Sequence, residues 1–137
     1  MLRKDIYNNI NNQIYHGIII NISQKNKSLI SNWNVIGKKK SLFGIITIYK
    51  VEVKKSEIDS IINKIQENMA RKILFLKQEF YAHFYRDNGI IIVFKEKIFN
   101  VTVDKNTWKA AINYGKTINI NEKQLYFIPN RFEDEEF

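Results

Sequence analysis

The chain has no cysteine in its 137 residues. That excludes disulfides, thiol nucleophiles and Cys-ligated zinc, and it fits a reducing compartment. Proline occurs once, at Pro129, and glycine five times. With so few chain breakers there is no linker to split the chain and no glycine-rich phosphate loop. Gly37-Lys38-Lys39-Lys40-Ser41 has the lysine and serine of such a loop but not its first glycine or its spacing. Histidine is confined to His16 and His83. Neither stands in the His-x-Thr/Ser pattern of two-histidine phosphoesterases, and neither has a partner at His-x-x-x-His or Glu-x-x-His spacing. No catalytic residue, metal or cofactor is expected on these grounds. Apolar runs are too short to span a membrane. Arg3 and Lys4 are followed by Asp5 and by asparagines where a secretory signal needs an apolar core, so the expected location is cytoplasmic. The heavy use of Ile, Asn and Lys reads as the coding bias of an AT-rich, bacterial genome.

What is present is enough for a real core. Hydrophobic residues make up 45% and charged ones 26%, and the length suits one domain over 1–137. The net charge of +8 is unevenly spread. Residues 1–55 hold ten Lys/Arg against two acids, whereas the rest of the chain is balanced. A basic portion 1–55 therefore faces an acidic segment, 130–137, which is expected to be frayed. Such asymmetry points to an acidic partner or a polyanion, or simply to lysines that keep a small protein soluble.

Periodicity supplies the elements. Leu2, Ile6, Ile10 and Ile14 are spaced as on a helix, and Gly17 to Ile22 reads as a strand. Trp33 stands between two asparagines, as the anchor of a core edge or of a contact surface. Gly37–Ser41 reads as a basic loop. Leu42–Val53 is a strand whose first half is apolar on both faces, as in a central or covered strand. Ser56, with Asp59 three positions on, suggests a capping box. The stripe Ile58, Ile61, Ile62, Ile65, Met69 follows it as one face of a helix. Asp87-Asn88-Gly89 then turns two aromatic and β-branched runs into a hairpin, and Lys95-Glu96-Lys97 reverses the chain again. The result is a meander over 79–86, 89–95 and 97–103. Asp104 to Asn106 opens a last helix carrying Trp108, Ala111, Ile112 and Gly115, and Asn121 caps a final turn.

This order predicts an α+β fold, a two-layer sandwich with a mostly antiparallel sheet and helices on one face. The element order over residues 42–117 is ferredoxin-like, with an extra helix–strand unit ahead of it. Order alone carries no function.

The strand Phe80–Arg86 supplies the main site hypothesis. Phe80, Ala82 and Phe84 share one face, and Tyr81, His83 and Tyr85 share the other. If the first face packs under the helices, the second presents an aromatic row to solvent, with Arg86 at its end. Such a row suits a protein contact or base stacking. With Trp33 and Lys38, Lys39 and Lys40, these are the candidate binding residues. Lys25, Lys27, Lys54 and Lys55 add to the basic set. The expectation is a non-enzymatic domain acting by protein contact, either as a homo-oligomer or with an acidic protein. The alternative is a basic accessory protein that binds nucleic acid through the N-terminal lysines and an aromatic sheet face.

Overall fold

A computed structural model describes residues 13–41, 46–71 and 79–137. It shows an antiparallel sheet of six strands and two α-helices. The strands are β1 (Ile14–Ile20), β2 (Val35–Ser41), β3 (Ile46–Lys54), β4 (Tyr81–Arg86), β5 (Gly89–Phe94) and β6 (Ile98–Thr102). The helices are α1 (Ile58–Asn68), in the β3–β4 crossover, and α2 (Lys109–Thr117), after β6. Across the sheet the order is β2-β3-β1-β4-β5-β6. The chain's first described strand thus sits in the middle, paired to β3 on one side and β4 on the other.

The α+β class, the antiparallel sheet and the meander match the sequence pattern. Hairpin β4–β5 turns at Asp87-Asn88, where Asp87 takes a left-handed backbone (φ 52) that short polar residues tolerate. The layers are arranged differently from the expected one-sided stack, because each helix covers its own face. α1 lays Ile58, Ile62 and Ile65, with Met69 beyond its end, onto Ile19, Val51, Val53, Ala82, Phe84 and Val93. α2 and the chain after it cover Tyr85, Ile90, Ile92 and Phe94. The cause is legible in β5, where Ile90–Phe94 is apolar without alternation, so both faces must be shielded from water.

Other local expectations shift too. Gly37–Ser41 is not a loop but part of edge strand β2, paired to β3 with a bulge between Val35 and Gly37. Its lysines are exposed and alternate between the two faces of the edge strand, and lysine is a common edge residue because its charge discourages further pairing. Ile14, placed by spacing at the end of a helix, opens β1. The rest of that expected helix falls in residues 1–12, outside the described residues, as do 42–45 of the expected strand Leu42–Val53 and 72–78 after α1. α1 begins without the side-chain cap that Ser56 suggested. Asp104 and Asn121 do cap, accepting hydrogen bonds from the backbone N–H of Asn106 and Lys123.

Candidate functional site

Strand β1 organises the site because its neighbours come from distant parts of the chain. Antiparallel register sets His16 opposite Tyr85 of β4 and opposite Glu52 of β3. The three side chains form one rung on the α2 face of the sheet. Lys50 stands two residues from Glu52, on the same face. All four are in place before any loop is considered.

Residues 120–137 then cross this face. Phe127 comes first, with a left-handed backbone (φ 47) that is costly for a bulky residue, about 1–2 kcal/mol. Full burial of its ring against Trp108, Tyr81 and His83 is worth about 2–3 kcal/mol and offsets that strain. Pro129 follows, and its carbonyl accepts a hydrogen bond from His83 Nε2 at 2.8 Å. Phe132 stacks on the His16 ring at 4.0 Å between centroids. Glu135 ends up over the rung. Its Oε2 accepts from His16 Nδ1 and from the Tyr85 hydroxyl, both at 2.5 Å, and its Oε1 lies 3.7 Å from Lys50 Nζ. His16 Nε2 is 3.6 Å from Glu52. Phe137 lies against Lys50, 5.1 Å from its ammonium, and beside Gly37 of β2. The acidic segment, expected to fray, is instead docked on the sheet. It both covers these groups and gives them partners, Lys50 being only 6% exposed beneath it.

The electrostatics follow from burial. His83 is held neutral, its pKa pushed down to about 4, because desolvation of the imidazolium outweighs the hydrogen bond to Pro129. A neutral ring that donates from Nε2 keeps Nδ1 as its acceptor. The Tyr85 hydroxyl is driven well above the usual phenol range, by burial first and then by its bond to Glu135. Tyr81 is raised in the same direction, by burial first, and its hydroxyl donates to the Gln124 carbonyl. Both phenols are therefore fixed as donors.

These positions revise the aromatic-row hypothesis. Tyr85 is 0% and His83 3% exposed, and Tyr81 is half-buried under Phe127. The row faces away from α1 as its parity requires, but it meets the segment 120–137 and not solvent. Arg86 belongs to the opposite face and lies over the Tyr15 ring at 5.1 Å. Trp33 is half-buried against the α1-side core, so it anchors a core edge. The lysines divide as well. Lys38 and Lys40 pair with Tyr49 and Thr47 and point to one face, with Lys38 Nζ 5.6 Å from the centre of the Tyr49 ring, while Lys39 points to the other. Lys54 and Lys55 lie at the far end of β3, roughly 20 Å along the strand from the rung of Lys40. His16 and His83 share a face but are committed to different partners.

No family model, curated protein or solved structure matches the chain. Geometry alone must carry its reading. Among the described residues no cluster of His, Asp and Glu is placed to hold a metal ion, and no helix is long and apolar enough to cross a membrane. Beside the Pro129 crossing lies a cleft of about 320 Å³, lined by Ile18, Ile20, Ile48, Tyr126 and Ile128 together with His83. The residues that sequence reasoning missed are Lys50, Glu52 and Glu135. Lys50 offered one signal, a lone cation on the strand face begun by Ile46 and Ile48.

Proposed function

We propose that the protein is a non-enzymatic binding domain that engages an acidic, extended segment of a partner protein along the outer edge of β2. The supporting observation is the character of that edge. β2 closes one side of the sheet, and among the described residues no other strand pairs with its outer side. An open edge offers a row of unpaired N–H and C=O groups to an added strand. This one carries Lys38, Lys39 and Lys40 in succession, with Val35 38% and Ile36 41% exposed at its start. Lysines alternating to both faces can pair with acids alternating along an incoming strand. Two copies meeting edge to edge would set lysines against lysines, which disfavours self-association by this route. Nucleic acid is the weaker reading. It has no backbone that can extend a sheet, and the aromatic row that would stack bases is buried under residues 120–137.

Titration of a labelled ten-residue peptide of alternating Glu and Val tests this. Binding is expected at low salt, weakening as salt rises, and lost in Lys38→Glu/Lys39→Glu/Lys40→Glu or when the peptide's backbone amides are methylated. No binding at millimolar peptide would refute the reading. Tighter, lysine-dependent binding of an oligonucleotide would replace it with the nucleic-acid one. Light scattering of the free protein reports any homo-oligomer directly.

A further inference from the structure

The acidic segment is attached as a bound peptide would be. Its backbone hydrogen bonds close its own short turn, Asp134 N–H to the Arg131 carbonyl and Glu135 N–H to the Phe132 carbonyl. It adds no strand to the sheet. Three of its side chains reach the sheet face, namely Phe132, Glu135 and Phe137. Together they meet receptor groups supplied by separate strands. His16 of β1 gives a ring to stack on and an N–H, Tyr85 of β4 gives an O–H, and Lys50 of β3 gives a charge with a flat aliphatic stem. Gly37 of β2 leaves room for the last ring, since a Cβ there would lie 3.2 Å from Phe137. By contrast Glu133, Asp134 and Glu136 are exposed.

We propose that His16, Lys50 and Tyr85 form a peptide-recognition site for a Phe-x-x-Glu-x-Phe segment, held here in cis by Phe132, Glu135 and Phe137 and able to exchange it for a segment of that chemistry in a partner protein. The receptor side favours a carboxylate occupant. His16 and Tyr85 donate to one oxygen of Glu135 and Lys50 stands beside the other. An incoming carboxylate can satisfy the same donors in the resident's place. The resident has the advantage of tethering, so a free peptide must compete with a local concentration in the millimolar range. The site lies on the sheet face, apart from the outer edge of β2, and stands whether or not that edge binds a strand.

The test uses the full chain and a blocked octapeptide, Asn-Arg-Phe-Glu-Asp-Glu-Glu-Phe, followed by calorimetry. Phe132→Ala/Phe137→Ala loosens the resident segment while keeping every buried polar group. The peptide is expected to bind this variant at least tenfold more tightly than wild type. Gln in place of the peptide's second glutamyl residue, the Glu135 equivalent, should cost at least tenfold, and His16→Ala added to the variant should abolish binding. Binding that survives Lys38→Ala/Lys39→Ala/Lys40→Ala supports the face site. Binding lost there but retained with His16→Ala assigns the peptide to the β2 edge and overturns the proposal. Equal affinity for variant and wild type overturns it too. Should the variant not fold, wild-type protein with millimolar peptide must show saturable shifts of the His16 and Tyr85 ring resonances, and their absence refutes the site.

Discussion

Acidification from pH 7 to pH 4 should destabilise this protein along a slope to which His83 contributes a large share. The ring is buried, its Nε2–H is bonded to the Pro129 carbonyl, and its pKa is pushed from 6.5 to about 4. The unfolded chain therefore takes up a proton near pH 6.5 that the folded chain refuses until about pH 4. Because the unfolded state binds more protons across that window, stability falls as pH falls. It is whole above about pH 6.5, declines at up to about 1.4 kcal/mol per pH unit, and levels off below about pH 4. The total is about 3 kcal/mol, a large share of the 5–15 kcal/mol typical of a domain. Carboxylates titrate in the lower part of the same range, so the informative quantity is a difference between two proteins. Urea denaturation at half-unit steps, on wild type and on His83→Gln, isolates it. Glutamine can donate a similar hydrogen bond but cannot ionise, so its curve should be flatter by about 1 kcal/mol per unit between pH 6 and 5. Wild-type ring resonances that titrate near 6.5 in the folded state, or parallel stability curves for the two proteins, would refute the reasoning.

Two glycines should respond unequally to alanine. A Cβ on Gly17 would lie 2.3–2.4 Å from the Phe84 ring, which is rigid and fully buried, so Gly17→Ala should cost about 1–3 kcal/mol in chemical denaturation. A Cβ on Gly115 would meet the Leu125 methyls at 2.7–2.8 Å, but those can swing aside, and alanine returns about 1 kcal/mol of helix propensity. Gly115→Ala should therefore stay within about 1 kcal/mol of wild type, and a larger loss than at Gly17 would contradict the packing described. Tyr85→Phe removes one donor from the Glu135 carboxylate and should cost about 1–2 kcal/mol in the same assay. A double-mutant cycle with Glu135→Gln should show coupling of at least about 0.5 kcal/mol, and strict additivity would mean that the pair does not interact.

The parts of the fold that are local were legible in the residues. The stripe Ile58, Ile62, Ile65 and the turn Asp87-Asn88 act within a few positions of themselves, so period and turn chemistry suffice to find them. The parity of Phe84 and Tyr85 was legible for the same reason. Edge strand β2 was not, because a run of three lysines has no strand signature until β3 lies beside it. The cover on Tyr85 was hidden for a related reason. Residues 120–137 have almost no periodic pattern of their own, and their order comes from the surface beneath them.

The amino-acid sequence by itself therefore determined both helices and the meander of β4, β5 and β6, which side of β4 meets α1, and that no thiol or disulfide chemistry is open to the protein. Only the tertiary structure decided the site. His16, Lys50, Tyr85 and Glu135 are brought together by a strand order that places β1 between β3 and β4 and by a closing segment 119 residues from His16. Contacts across such distances leave no periodicity to read. They arise because buried charges and hydroxyls must find partners, and the partner available to these was an acidic segment that looked, in isolation, like a frayed end.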